Sequence, residues 1–177
     1  MDFAKAFDKV HHSLLVHKLD HYGIKGKPNK WIQALLSDIT QTVVLDATTS
    51  YTADVDSVTP QGSVLGPLFF LYFINDIPEN LKSTVRLRAD DTIVYLTISG
   101  DTDCISLQED LDKLAYWEDK WKMKFHPDKC QVISITRKRK TIKCDYNLHN
   151  HILQLVNSAK YLGCTINDQI DWERTHK

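Results

Sequence analysis

Apolar residues in the first part of the chain recur at helical spacing. Leucines and valines from Val10 to Leu19 mark one face of a predicted helix over 8–22, and Gly23 follows where a helix C-cap is expected. Pro28 opens a second short helix with a stripe of tryptophan, isoleucine and leucine. Two amphipathic helices are therefore predicted before the first strand.

The next segment has the pattern of a β-hairpin followed by a buried helix. The β-branched run 42–45 and the alternating apolar residues of 51–55 predict two strands, joined by a polar turn at 48–50. The stretch 65–77 is apolar nearly all round, which indicates a helix buried on every side.

A second predicted hairpin has two acidic residues at its turn. Strands are expected over 84–89 and 93–96, with Asp90 and Asp91 between them. An amphipathic helix follows over 103–123, because its leucines and tryptophans step by three or four. The remaining predicted strands are short and lie at 131–136, 142–148, 152–156 and 161–166. This order predicts an α+β fold in which helices pack on one face of a sheet.

Composition narrows the choice of function. The 177 residues include 22 Lys plus Arg and 23 Asp plus Glu, so a global positive field for nucleic acid is excluded while local patches are not. The longest apolar run, 68–74, is too short to span a bilayer, so no membrane partner is expected. The four cysteines lack the close spacing of a zinc or redox pair, so we expect buried, reduced thiols in an intracellular protein.

Carboxylates are the first candidates for chemistry. Asp90 and Asp91 at one tight turn, with Asp2, are oxygen ligands of the kind that Mg²⁺ prefers, although a hairpin turn that simply uses Asp also explains the pair. His17 and His21 lie four residues apart on a predicted helix, a spacing that can bind a metal. No acidic or cysteine ligand accompanies these histidines, which favours a surface pair.

A dense basic run is the second candidate. It consists of Arg137, Lys138, Arg139 and Lys140, with Lys143 close by. Such segregation in a neutral chain suits local contact with phosphate, and a solvated hairpin tip explains it equally well.

Five short motifs follow one another along the chain. They are residues 2–10, 60–67, 89–91, 127–130 and 160–163. In order and approximate spacing they resemble the palm motifs of reverse transcriptases, with the closest likeness to non-long-terminal-repeat retrotransposons of the jockey and chicken-repeat kind. The likeness covers essentially the whole chain.

The resemblance implies a fold and a division of the chain. It implies a right-hand polymerase palm, in which a small antiparallel sheet is backed by helices, over residues 1–10 and 58–177, with a partial fingers lobe over 11–57. The N-terminal fingers, the thumb and an endonuclease are expected to lie outside this sequence, which we expect to be a piece of a longer protein. The family also implies a nuclear location.

The resemblance assigns a metal site. Asp2 and Asp90 are similar to the carboxylates that hold two Mg²⁺ ions, which Mn²⁺ can replace, with Asp91 as a supporting third and the Phe3 carbonyl as a further ligand. Lys129 resembles a lysine that protonates the departing pyrophosphate, although a solvated surface charge explains a single loop lysine as well.

The resemblance also assigns contacts to substrates, which would be an RNA template, a DNA primer and a deoxynucleoside triphosphate. Phe7 stands where an aromatic closes the nucleotide pocket against a 2′-hydroxyl, and Gln61 and Gly62 resemble the loop beneath the incoming nucleotide. The residues Tyr161, Leu162 and Gly163 resemble the hairpin that grips the primer, while a core Tyr–Leu pair explains them nearly as well.

Two positions depart from the family pattern. Arg88 stands where an aromatic normally packs beside the primer terminus, so its guanidinium can at most contact phosphate. Val58-Thr59 stands in place of Gly-Val before the 60–62 turn. Two hypotheses therefore stay open: a polymerase palm, or a catalytically incompetent remnant or nucleic-acid-binding module with the palm fold. We expect weak or no activity from this chain alone, and its oligomeric state is not predicted.

Overall fold

The computed structural model describes residues 1–59, 62–138 and 142–169, and the backbone of 173–174. Within these parts of the chain the α-helices are α1 (His12–His21), α2 (Gly26–Leu36), α3 (Leu65–Ile74) and α4 (Asp101–Trp121). The strands are β1 (Thr40–Gln41), β2 (Val44–Leu45), β3 (Thr48–Thr49), β4 (Ala53–Asp54), β5 (Thr84–Arg88), β6 (Asp91–Tyr95), β7 (Gln131–Ile133), β8 (Asn147–Leu148), β9 (His151–Ile152), β10 (Gln154–Val156), β11 (Ser158–Tyr161), β12 (Cys164–Asn167) and β13 (Glu173–Arg174).

The backbone divides into two compact units. The helical unit comprises Lys5–Asp76, and the sheet unit comprises Met1–Ala4 together with Ile77–Lys177. In the helical unit α1 packs against α2 and α3, with Leu15, Leu19, Ile32 and Phe73 buried. The prediction that the third helix is buried on every side is wrong, because Leu68 and Leu71 are exposed. Trp31 and Leu35 of the predicted α2 stripe are exposed as well. The mixture of helices and strands confirms the predicted combination of α and β structure.

A buried lysine fastens α1 to the end of α3. The Nζ of Lys18 donates to the Phe73 carbonyl and to Oδ1 of Asp76, each at 2.5 Å, and the Lys18 side chain is only 3% exposed. Because a buried ammonium needs compensating oxygens, these two acceptors permit a charge inside an otherwise apolar contact.

The first hairpin has a different turn from the one predicted. β1 pairs with β4 and β2 pairs with β3, both antiparallel, and the chain reverses at Asp46–Ala47. The prediction of a turn at 48–50 is wrong, since Thr48 and Thr49 form a strand. Asp46 and Ala47 both have positive φ, at 45° and 65°, the backbone that two-residue hairpin turns favour and that periodicity alone does not reveal.

The second hairpin forms where it was predicted, but its turn is Ala89–Asp90, so the prediction that Asp91 lies in the turn is wrong. β5 and β6 pair antiparallel over five residue pairs, from Thr84 opposite Tyr95 to Arg88 opposite Asp91. The predicted helix that follows is α4, which begins two residues earlier than expected. Asp103 explains this start, because its Oδ2 accepts the backbone N–H groups of Ser99 at 2.7 Å and Gly100 at 3.1 Å.

The later strands depart from their predictions. β7 pairs in parallel with β10, whereas β8–β9 and β11–β12–β13 are antiparallel. The predicted strand 142–148 survives only as β8. The predicted strand 161–166 forms in its second half as β12, because the chain turns at Leu162–Gly163 between β11 and β12. Both turn residues have positive φ, at 53° and 77°. A hairpin at this position is what the family resemblance implied.

The expectation of four reduced thiols is wrong in this structure. Cys104 at the start of α4 is bonded to Cys144, 40 residues later, with the two Cα atoms 6.2 Å apart. Spacing along the sequence could not show this pairing, because the fold brings the 142–148 segment back to α4. Cys130 and Cys164 are free thiols. Among the helices that the structure describes, none is both long and apolar enough to cross a membrane.

Candidate active site

The two aspartates of the acidic hairpin lie in different elements. Ala89 and Asp90 form the two-residue turn, and Asp91 is the first residue of β6, opposite Arg88. Ala89 has a φ of 50°, a left-handed conformation that is unfavourable for a residue with a Cβ atom. The backbone is therefore strained at Ala89, directly before the two aspartates.

The Asp2 segment extends this hairpin as a further strand. Asp2 forms an isolated antiparallel bridge with Asp91, and the Thr92 N–H donates to the Met1 carbonyl at 3.0 Å. Residues directly opposite in an antiparallel pair have Cβ atoms about 5 Å apart and on the same face. Asp2 and Asp91 are thus neighbours although 89 residues separate them in sequence.

The segment 124–126 holds the other edge of Asp2. The His126 N–H donates to the Asp2 carbonyl at 2.8 Å, and the Ala4 N–H donates to the Lys124 carbonyl at 2.8 Å. Phe3 and Phe125 form an antiparallel bridge between these hydrogen bonds. The short Asp2 strand is therefore bonded on both sides, which fixes the backbone that carries its carboxylate.

A buried aromatic cluster lies beneath this strand. The Phe3 ring stacks on Phe125 with centroids 4.2 Å apart and lies 6.2 Å from the ring of Trp117 on α4. Phe3 and Phe125 are 3% and 2% exposed. Alternation along the strand therefore sends Phe3 into the core while Asp2 faces the other way. The side chain of Phe3 is thus a core residue, and only its backbone remains a candidate ligand.

Lys129 forms the principal ion pair of the site. It ends the 3₁₀ turn Pro127–Lys129, and its Nζ donates to Oδ2 of Asp2 at 2.9 Å. This hydrogen bond, the charge of Asp2 and, more weakly, the charge of Asp90 raise the pKa of Lys129 above its ordinary value. Nearby, burial raises the pKa of the Cys130 thiol, and a backbone hydrogen bond from Asp2 opposes that rise.

The three carboxylates are the right kind of ligand for a hard divalent cation, but they do not converge on one point. Asp2, Asp90 and Asp91 offer oxygen ligands, which Mg²⁺ prefers, and Asp2 and Asp91 share one face. Among the described residues, however, no group of three or more His, Cys, Asp or Glu side chains converges on a point that could hold a metal. In this structure the Asp2 carboxylate forms its ion pair with the Lys129 ammonium.

The predicted nucleotide contacts belong to the helical unit. The Phe7 ring is half-buried and packs on Phe70 with centroids 4.7 Å apart. Gly62 is exposed with a φ of 81°, which requires glycine or costs strain, whereas Gln61 lies outside the described residues. Thr59, in place of a valine of the family pattern, is buried, and its N–H donates to the Phe7 carbonyl at 2.9 Å.

The predicted nucleic-acid contacts are scattered over exposed edges. Arg88 ends β5 with its side chain exposed, and Arg137 and Lys138 are exposed in the loop after β7. Arg139 and Lys140 lie outside the described residues. The set Tyr161, Leu162 and Gly163 forms the end of β11 and the turn before β12, with Leu162 exposed and Tyr161 half-buried. His17 and His21 are both exposed on α1.

Sequence reasoning missed one carboxylate next to the site. Glu118 is completely buried, and it accepts the Phe125 N–H at 2.5 Å and a hydrogen bond from the ring of His149 at 2.6 Å. A signal existed, because the stripe of leucines and tryptophans that predicts α4 passes through position 118 at the same three- and four-residue steps. An acidic residue on an apolar stripe indicates a buried, partnered charge.

Comparison with known proteins identifies related sequences. The family described as reverse transcriptase (RNA-dependent DNA polymerase) matches residues 1–166. The RNA-directed DNA polymerase from mobile element jockey of Drosophila melanogaster is 27% identical, over 98% of this chain and 20% of that protein. The probable RNA-directed DNA polymerase from transposon BS of the same organism is 28% identical, over 96% of this chain and 20% of that protein. This chain thus spans about a fifth of the length of these relatives.

Proposed function

This chain belongs to the reverse transcriptase (RNA-dependent DNA polymerase) family, and from that premise we propose that its Asp2 site adds deoxynucleotides to a primer paired with an RNA template. One observation carries the proposal: Asp2 pairs with Asp91 beside the Ala89–Asp90 turn, so carboxylates from two distant motifs lie on neighbouring strands. The family implies a polymerase palm, and the antiparallel arrangement of β5, β6 and the Asp2 strand supports that fold for the sheet unit.

Divalent metal ions are used by reverse transcriptases, and we assign them here to Asp2, Asp90 and Asp91. Mg²⁺, as two ions, is the expected metal, with Mn²⁺ able to replace it. When bound, such ions activate the primer hydroxyl and offset the charge of the leaving pyrophosphate. The contribution of the chain is a set of hard oxygen ligands on a strand whose backbone is hydrogen-bonded along both edges.

Lys129 is the proposed proton donor of the transfer. The primer 3′-hydroxyl gives its proton to solvent water as its oxygen bonds to the α-phosphorus, the bond from that phosphorus to the pyrophosphate oxygen breaks, and pyrophosphate leaves with the electron pair. Lys129 gives its proton to this leaving group. The Lys129 ammonium carries the proton to be given, and its exposed side chain can leave Asp2 to reach the phosphate.

Substrate recognition is proposed for the residues that the family resemblance assigns to it. Phe7, by its place five residues after Asp2, is proposed to exclude a 2′-hydroxyl, and Gln61 with Gly62 to lie beneath the nucleotide. The positive φ of Gly62 supports a loop whose backbone approaches a ligand closely. The β11–β12 turn at Leu162–Gly163 is proposed to hold the primer, and Arg88 and the 137–140 run to contact phosphates.

A second candidate is a nucleic-acid-binding remnant without catalysis. Two observations favour it. Arg88 replaces the aromatic expected beside the primer terminus, and the carboxylates of the described residues do not converge as three ligands. Such a protein would keep the sheet and its basic loop but not the transfer reaction.

Primer extension distinguishes the two candidates. The chain is incubated with oligo(dT) on poly(rA), thymidine triphosphate and Mg²⁺, beside the variant Asp90→Asn, Asp91→Asn. Incorporation that the variant lacks supports the polymerase. Incorporation at background level at high protein concentration, together with retained binding of the template, excludes independent catalysis by this chain.

A further inference from the structure

A buried carboxylate on α4, that of Glu118, lies behind the segment that holds the Asp2 strand. Glu118 is 0% exposed, and its two carboxylate oxygens have different partners. Oε1 accepts the Phe125 N–H at 2.5 Å, and Oε2 is 2.6 Å from Nε2 of His149 in the β8–β9 turn. Burial of a carboxylate is costly, and hydrogen bonds to charged groups are about twice as strong as neutral ones. Position 118 therefore contributes a strong, directed contact to the 124–126 segment.

That segment is the one that holds the Asp2 strand. The amides of His126 and Ala4 make the two hydrogen bonds between 124–126 and Asp2–Ala4, and Phe125 lies between them. A chain of contacts thus runs from His149 through Glu118 and Phe125 to the backbone of Asp2. Burial raises the pKa of Glu118, which the Phe125 amide, the charges of His149 and Lys124 and the His149 hydrogen bond oppose.

We propose that Glu118 is a positioning residue that fixes the strand carrying Asp2, with His149 as the contact that orients its carboxylate. The proposal rests on the proposed function of Asp2 and adds a residue to it. Glu118 touches no reacting atom, so its effect on the site must pass through the 124–126 segment.

A matched control is present on the same helix. Asp110 is also 0% exposed, and its Oδ2 accepts the Ser83 N–H at 2.7 Å, just before β5 begins. Asp110 also accepts a hydrogen bond from Nζ of Lys113 at 2.8 Å, and it anchors the end of β5 that is remote from Asp90. Loss of Asp110 reproduces the general cost of removing a buried carboxylate from α4.

Amide hydrogen exchange in the full chain tests the positioning role. In Glu118→Ala we expect exchange of the Ala4 and His126 amides to accelerate, relative to the unsubstituted protein, at least about tenfold more than exchange of the α4 amides. The α4 amides report global opening. Glu118→Gln keeps an acceptor oxygen for Phe125 and should stay close to the unsubstituted protein. Asp110→Ala should accelerate Ser83 and leave Ala4 and His126 unchanged. Equal acceleration of Ala4, His126 and the α4 amides in Glu118→Ala overturns the proposal.

Paramagnetic broadening by Mn²⁺ separates this inference from the proposed function. If the Asp2 and Asp90 amides broaden, Glu118→Ala should weaken the apparent Mn²⁺ affinity about tenfold, as removal of residues behind metal ligands commonly does. His149→Ala, which removes one of the two contacts, should show a smaller loss. Absence of broadening in the unsubstituted chain overturns the metal assignment of Asp2 and Asp90, and the exchange rates then decide the role of Glu118. Unchanged affinity in Glu118→Ala overturns its link to the site.

Discussion

At the scale of single residues, the Lys129–Asp2 pair links two motifs that lie 127 residues apart. The pair is exposed, since 59% of the Lys129 side chain and 29% of the Asp2 side chain are accessible to solvent. Water and salt weaken such a pair, so its stabilising effect on the fold is small. Its importance is electrostatic: it raises the pKa of the lysine proposed to act on pyrophosphate.

The pKa of Lys129 is a direct measure of that pairing. It should lie above the ordinary lysine value of 10.5, because the ammonium donates to Asp2 and faces the charge of Asp90. Since the folded-state pKa is the higher one, any stability from the pair is fully present below the unfolded pKa and is lost as pH rises through the folded pKa. Titration of ¹³C-labelled lysine by NMR should show the raised value, and Asp2→Asn should lower it.

Lys82 provides the comparison for this titration. Its pKa is raised in the same way, by the hydrogen bond and charge of Glu109. Glu109→Gln should therefore lower the pKa of Lys82 and leave that of Lys129 unchanged. A Lys129 titration that does not respond to Asp2→Asn would show that the two side chains are not paired in solution.

Unlike the exposed Lys129–Asp2 pair, the Lys18–Asp76 pair is largely buried, so breaking it should cost much of the free energy of unfolding. Lys18→Met removes the ammonium and leaves the Asp76 carboxylate, 17% exposed, without its principal positive partner. Breaking such a pair should lower the free energy of unfolding by about 3 kcal/mol, measured by urea denaturation. The double variant Lys18→Met, Asp76→Asn should recover part of this loss, because no uncompensated charge remains.

The exposed Lys82–Glu109 pair is the control for burial. Its side chains are 59% and 50% exposed, so Lys82→Met should leave the denaturation midpoint unchanged. A loss in Lys18→Met no larger than that in Lys82→Met would contradict the buried pairing.

At the scale of elements, α4 organises the sheet unit. Its first turn carries the disulfide to Cys144, its middle carries Asp110 and its last turns carry Glu118. Each of these contacts fixes a different loop or strand, and the leucines and tryptophans between them pack into the core. One helix thereby anchors the 124–126 segment beside the Asp2 strand, the start of β5 and the segment that carries Cys144.

The disulfide gives a testable contribution of α4 to stability. Closing a 40-residue loop restricts the unfolded chain, so Cys104→Ala, Cys144→Ala should lower the free energy of unfolding by about 2–4 kcal/mol. Reductant should destabilise the unsubstituted protein and have no effect on the double variant. Cys164→Ala, which removes a free thiol, is the matched control. Reaction of four thiols instead of two in denatured, unreduced protein would contradict the bond.

At the scale of the whole molecule, neutrality conceals a division of charge. Residues 5–36 contain six lysines and two aspartates, whereas residues 37–76 contain five aspartates and no lysine or arginine. A net charge of −1 is therefore compatible with local phosphate contact. A neutral chain has no global positive field, but it can carry local positive patches.

Local chemistry explains which elements were predictable. The β5–β6 hairpin was predicted because strand alternation and a polar turn lie within twelve residues, and α4 because its stripe spans about four turns. The Asp46–Ala47 turn was misplaced by two residues, since positive φ at Asp and Ala leaves no mark in hydrophobic periodicity. The parallel pairing of β7 with β10 depends on tertiary contacts that a local pattern does not contain.

The candidate site was predictable to a different degree. Hydrophobic periodicity placed Asp90 and Asp91 near a turn, whereas the connection to Asp2 and Lys129 came only from family resemblance. No local signal joins residues 2, 91 and 129, because their proximity results from strand pairing over long sequence distances. Cys104–Cys144 and Glu118–His149 show the same limit, since each contact closes a loop of more than thirty residues.

Salt dependence tests whether the basic loop contacts nucleic acid. Each phosphate contact with a single strand adds about 0.7 to the slope of log affinity against log salt concentration. Arg137→Ala, Lys138→Ala should therefore reduce the slope for a fluorescent single-stranded RNA by about 1.4 if both exposed side chains bind phosphate. Lys27→Ala, Lys30→Ala removes the same charge from exposed positions of α2. If both double variants change the slope equally, net charge alone governs binding, and the 137–138 loop is a solvated segment without a specific role.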